Sequence, residues 1–256
     1  MRLSIAPRSL STLLAAAVLT LTTLLAAVAP ALAEGSGPSP VLMVISNQDF
    51  WYQDYADTRS SLEAAGLEVV VAASTTRPGA SRPTVVPDIA LADVRAEDYS
   101  AIVFSGGWGM AQYQYGFEGT YHDAALHDPR AAALANELIG AFVEGEKHVA
   151  AICHGVSVLA YARVDGTSPI EGRTVTGWNG AAPGFELGGQ SYPAGTVPAR
   201  WQVESQGADM PLSAAIGDPQ TVADDVIVDG NIITAENYDS AWVFARTLAR
   251  ALRAGR

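Results

Sequence analysis

Lysine and cysteine each occur once in these 256 residues, as Lys147 and Cys153, and no histidine follows His154. A single cysteine cannot close an internal disulfide, so the fold is not stapled and the thiol serves either packing or chemistry. Basic residues are also scarce: 15 against 27 acidic ones, a net charge of −12. Such a balance leaves little to attract nucleic acid or an anionic membrane surface, and neither is expected as a partner. Clustered metal ligands are missing too. His122 and His127 stand five residues apart, which does not align two imidazoles on one helical face, and no third ligand gathers near them. No metal or cofactor is expected.

What is present begins with a secretory pattern. Arg2 and Arg8 supply a positive start, Leu10 to Ala29 an apolar stretch, and Ala31-Leu-Ala33 a small-residue cleavage motif. Residues 1–33 are therefore expected to be a signal peptide cleaved after Ala33, leaving a secreted or periplasmic protein with no membrane attachment. An uncleaved anchor is the competing reading, because the apolar stretch approaches the length of a span. Cleavage removes two arginines and no acids, taking the charge from −12 to −14. Residues 34–40 read as a linker, and about 220 residues remain, enough for one domain over 41–256.

Within that domain, Val41 to Ser46 is an uninterrupted apolar run of the kind found in buried parallel strands. Helical spacing over Asp54 to Ala65 stops at Gly66, and Leu67 to Ala72 reads as a second strand, giving a β-α-β opening. Arg77 to Pro87 is loop. Further strands are expected at Ala101 to Phe104 and Val149 to Ile152, and helices at 129–144 and His154 to Ala162. Strands alternating with helices imply an α/β fold whose mostly parallel central sheet is covered on both faces. Its site belongs at the carboxyl ends of the strands, where Asn47 to Asp54, Gly106-Gly107 and Cys153-His154 converge.

Cys153 carries the chemistry in this reading. A β-rich run ending at a small nucleophile and reopening as a helix describes a nucleophile elbow, which lifts the side chain clear of the sheet. Free cysteine is often a buried hydrophobe, but a helix N-terminus and an adjacent imidazole both favour thiolate. A lowered thiol pKa is the expectation. The aromatics Phe50-Trp-Tyr52, Trp108, Tyr113, Tyr115 and Phe117 fall beside two strand ends, where they serve either as pocket walls or as loop packing.

These residues resemble the ThiJ/PfpI superfamily of class I glutamine amidotransferase-like folds. The likeness spans about 41–178 and 222–253 and rests on strand one with its helix, Pro87-Asp88, Tyr99 to Gly107, Ala151-Ile-Cys-His-Gly155, a Gly172 to Gly177 strand and Asp229 to Asn237. It implies a flavodoxin-like three-layer sandwich, a homodimer, Cys153 as nucleophile, His154 beside it, and oxyanion donors from the Gly107 and His154 backbone. It also implies a carboxylic acid twelve residues before the first helix's terminal glycine, which is Asp54 here, one methylene shorter than the usual glutamate. The competing role for Asp54 is a helix N-cap. An acid orienting His154 is open among Glu186 and, from a neighbouring subunit, Glu118 and Asp123. Glutaminase chemistry is not expected, because that branch places its catalytic histidine far downstream of the cysteine. The leading function is thiolate addition to a small electrophile such as a 2-oxoaldehyde or an isocyanide. The alternatives are a PfpI-type cysteine peptidase and a non-catalytic redox-responsive or chaperone-like module. An insertion over about 180–222 would favour small substrates if it covers the site, and peptides if it does not.

Overall fold

The computed structural model describes residues 39–79, 82–117, 127–180, 185–187, 190–194, 198–211 and 225–255, with 185–187, 190 and 192 described by their backbone alone. The signal segment and linker, residues 1–38, lie outside the described residues. In chain order the strands are Val41–Val44 (β1), Val69–Ala73 (β2), Ile89–Ala90 (β3), Ala101–Phe104 (β4), His148–Ile152 (β5), Phe185–Leu187 (β6), Gln190–Tyr192 (β7), Val226–Asp229 (β8) and Ile232–Ala235 (β9). The helices are Tyr52–Ala64 (α1), Pro129–Glu144 (α2), Val156–Tyr161 (α3), Pro198–Glu204 (α4) and Ala241–Ala254 (α5).

Seven strands form one sheet in the order β3-β2-β1-β4-β5-β9-β8, parallel throughout except for β8, which pairs antiparallel with β9. Val41 lies between Val69 and Ala101, and Ala101 in turn pairs with His148, so the register runs level across the centre. Alternate side chains go to opposite faces. Leu42, Val44, Ile102, Phe104, Val149 and Ala151 pack with Ile139 and Phe142 of α2, Leu159 of α3 and Val203 of α4. Val41, Met43, Val103, Ala150 and Ile152 pack with Leu62 of α1 and Phe244 and Leu248 of α5. Burial on both faces explains why these strands read as continuous apolar runs, and it confirms the α/β three-layer sandwich.

Local sequence sets the helix ends. Asp128 caps α2, its Oδ1 accepting from the Arg130 and Ala131 amides at 3.0 and 3.2 Å, with Pro129 in the first turn. Helix α1 ends where Gly66 adopts φ 82°, the left-handed conformation glycine takes without strain. Two expectations need correction. Cys153–Gly155 forms a 3-10 turn, so α3 starts only at Val156. Gly172 to Gly177 is no strand but a single bridge, Thr174 to Asp209. On one side Val175 N–H donates to the Asp209 carbonyl at 2.9 Å; on the other, Thr174 N–H donates to Asp229 Oδ2 at 2.9 Å and Thr176 N–H to Thr234 Oγ1 at 2.9 Å. Side chains have taken the place of a neighbouring strand.

Candidate active site

At the carboxyl end of β5 the chain turns so sharply that Cys153 adopts φ 59°. A non-glycine residue held there stores about 1–3 kcal/mol of strain, which persists only where the surroundings dictate it. Gly155 makes the turn fit: a Cβ there would sit 2.2 Å from the Ser105 carbonyl oxygen. Gly106, after β4, is equally constrained, because its Cβ would fall 1.9 Å from Asp54 Oδ2 and 2.7 Å from Cys153 Cβ. The loop after β1 is laced to the same place, with Trp51 N–H donating to the Gly106 carbonyl at 3.0 Å and Gly109 N–H to that of Asp49 at 3.0 Å. Three strand ends thus converge at the thiol, as the sequence predicts.

Asp54 is fully buried in the third position of α1, and the helix has no side-chain cap. The capping role is therefore not the one it plays. Instead its carboxyl faces the thiol. Burial pushes its pKa up from 3.8 to about 7, against the opposing pull of the Cys153 thiol and the Tyr238 backbone N–H. Neither carboxyl oxygen completes a hydrogen bond of good geometry among the described residues, so desolvation dominates. The thiol is displaced upward as well, through burial first and then the nearby Asp54 charge, while the His154 and Gly107 amides pull the other way. This corrects the expectation of a lowered thiol pKa. The helix that was to lower it is one 3-10 turn away and six residues long, and a dry site beside a carboxyl outweighs its dipole. Of the two acids, the Asp54 carboxyl therefore gives up its proton first, while the thiol keeps its own.

His154 lies within reach, its Nδ1 3.6 Å from Cys153 Sγ. Its ring stacks on Trp108 with centroids 4.2 Å apart and planes at 39°. Gly107 has φ 99°, and its N–H and that of His154 are the two backbone donors facing the sulfur. Cys153, His154, Asp54 and Gly107 are therefore brought together. Glu118 and Asp123, with His122, lie outside the described residues, and Glu186 is described by its backbone alone, on β6.

A cavity of about 240 Å³ opens over the thiol. Cys153, His154 and Asp54 form its floor, Trp51, Trp108 and Trp178 and Tyr238 its walls, and Asp49 and Asn237 complete the lining with Gly107. The flagged aromatics divide: Trp51 and Trp108 are walls, whereas Phe50 and Tyr113 are core, Tyr113 donating to the Ile45 carbonyl at 2.8 Å. Trp178, Asn237 and Tyr238 were not singled out from sequence. Only Asn237 sat inside a recognised motif, and Trp178 follows the Gly172 to Gly177 segment, so closeness to family-like segments was the one available signal.

The fold and this elbow define an α/β protein that holds a strained cysteine at the carboxyl end of its central sheet. The sequence profile of the DJ-1/PfpI family matches residues 123–251, and the chain belongs to that family. An uncharacterized protein of Archaeoglobus fulgidus is 29% identical over 194 residues, covering 75% of this chain and 86% of its own. Among solved structures, the ThiJ/PfpI domain protein of Brachyspira murdochii superposes with a TM-score of 0.60 at 21% identity, covering 85% of this chain and 98% of that one. Glyoxalase III of Candida albicans also gives 0.60, at 16% identity, covering 84% and 98%. At these identities the superpositions establish a shared fold.

Proposed function

We propose that the protein is a cysteine-dependent enzyme that adds the Cys153 thiol to a small electrophilic carbon, such as the aldehyde of a 2-oxoaldehyde or an isocyanide. The observation that carries this reading is Cys153, held at φ 59° on the floor of a cavity of about 240 Å³ between a carboxyl and two backbone N–H donors. Asp54, with its pKa near 7, is suited to move a proton at neutral pH. In the first step Sγ attacks the aldehyde carbon, the thiol proton passes to the Asp54 carboxylate, and the carbonyl electron pair moves to oxygen. The Gly107 and His154 amides stabilise that oxyanion. Proton transfer from the former aldehyde carbon to the neighbouring carbonyl, through Asp54 and His154, yields a 2-hydroxy thioester. Water then releases a 2-hydroxy acid and restores the thiol, so the net reaction is hydration with no external oxidant.

The cavity's size favours a small molecule over a peptide, and the likeness to a glyoxalase III supports a carbonyl substrate. The test is to incubate the protein with methylglyoxal, and separately with an alkyl isocyanide, and follow lactate or formamide formation by NMR. Turnover lost in Cys153→Ala supports the reading; no turnover of any small electrophile by native protein overturns it. Export through residues 1–33 is part of the same proposal, supported by their charge and hydropathy pattern. A mature protein beginning at Glu34, read by N-terminal sequencing outside the cytoplasm, is the expected result.

A further inference from the structure

The composition of the cavity wall bears on which electrophile fits. Three tryptophans and a tyrosine surround the thiol, and no lysine or arginine is among the lining residues. A Cβ on Gly107 would lie 2.4 Å from the Trp51 nitrogen, so the Gly107 turn and the backbone that carries Trp51 pass in direct contact. Trp178 is pressed against the chain at Gly180, where a Cβ would meet its ring at 2.0 Å. Trp108 is stacked on His154. Trp51 is 52% exposed and stands at the mouth.

We infer that the site selects an uncharged electrophile bearing a flat apolar substituent and rejects one bearing a carboxylate, with Trp51, Trp108 and Trp178 as the specificity-determining walls. This rests on the reading of Cys153 as the nucleophile. Flat rings meeting aromatic walls gain offset-stacked or edge contacts beyond simple burial. A carboxylate brought into the same space loses its water and finds no cation of this chain to replace it. Arg82 lines an adjoining depression that shares Asp49 and Trp51 with the cavity, but it is not among the residues lining the cavity itself. Nor can the remaining internal segments supply one: residues 80–81, 118–126, 181–184, 188–189, 195–197 and 212–224 contain no lysine or arginine. Asp54 and Asp49 add only negative charge to the lining.

Three alkylating probes that share one leaving group test this without requiring turnover. Rates of Cys153 modification in the full protein are measured by mass spectrometry with iodoacetamide, iodoacetate and 2-iodo-N-phenylacetamide, at one fixed pH, and divided by the rates with 2-mercaptoethanol. The phenyl probe is expected to gain about tenfold over iodoacetamide, and iodoacetate to lose at least about tenfold. Trp178→Ala and Trp51→Ala are each expected to reduce the phenyl preference, with folding checked by circular dichroism. Normalised rates that agree among the three probes, or an iodoacetate rate as fast as that of iodoacetamide, would overturn the inference while leaving the nucleophile intact. A native thiol inert to all three overturns the nucleophile as well.

Discussion

Replacing Asp54 with asparagine separates the site's electrostatics from its shape. Moving a carboxyl from 3.8 to about 7 means that its ionisation in the folded protein is disfavoured by about 4 kcal/mol, at about 1.4 kcal/mol per pH unit. Below about pH 4 the group is protonated in both states and contributes nothing. Between about pH 4 and pH 7 the unfolded chain ionises while the folded one holds its proton, so stability falls by about 1.4 kcal/mol per pH unit. Above about pH 7 both states are ionised and the loss is constant. Asp54→Asn removes this slope. Its amide brings a burial penalty of about 1–3 kcal/mol that does not change with pH. Urea unfolding of both proteins at several values from pH 5 to pH 8 is therefore expected to show the variant gaining on the parent as pH rises, then levelling near pH 7. The same substitution is expected to lower turnover by about 10²- to 10⁴-fold and to abolish an apparent pKa near 7 in the rate profile. A stability difference that stays flat across that range would refute the claim that Asp54 is a buried, desolvated acid.

Cys153→Ala is expected to abolish turnover while the fold persists by circular dichroism, since the thiol lies at the edge of the core rather than in its centre; retained turnover would remove the nucleophile. Gly106→Ala places a methyl 1.9 Å from Asp54 Oδ2, and overpacking of this kind is expected to destabilise the protein by about 1–3 kcal/mol and to cut activity. A variant with wild-type urea midpoint and rate would show that the strand end yields freely. Light scattering of residues 34–256 is expected to report about twice the mass of one such chain. A monomer would withdraw Glu118 and Asp123 as acids supplied by a neighbouring subunit.

The parts of this molecule marked by continuous apolar runs or by helix-end residues were legible. Val41–Val44, Ala101–Phe104 and His148–Ile152 are buried on both faces, so each is apolar without alternation and needs no partner to be recognised as a strand. Helix α2 announced itself through Asp128, Pro129 and its apolar stripe. By contrast, Gly172 to Gly177 has a strand's composition, yet its Thr174 and Thr176 amides found Asp229 and Thr234, groups more than 50 residues away. No local pattern encodes that choice. The Asp54 position shows the same division: its register before Gly66 identified it, but whether it caps a helix or faces a thiol depends on what lies above it.

The sequence by itself determined the layered α/β fold, the elbow at Cys153, and the convergence of Asp54, Gly107 and His154 on it, because apolar strand runs, glycine spacing and a family pattern are local properties. Tertiary structure alone decided the direction of the thiol's pKa, the raised pKa of Asp54, and the walls that Trp51, Trp108, Trp178 and Tyr238 build. Those depend on how completely water is excluded, and on side chains drawn from four separate strand ends and loops. Desolvation is a property of the assembled volume, which no single segment of the chain contains.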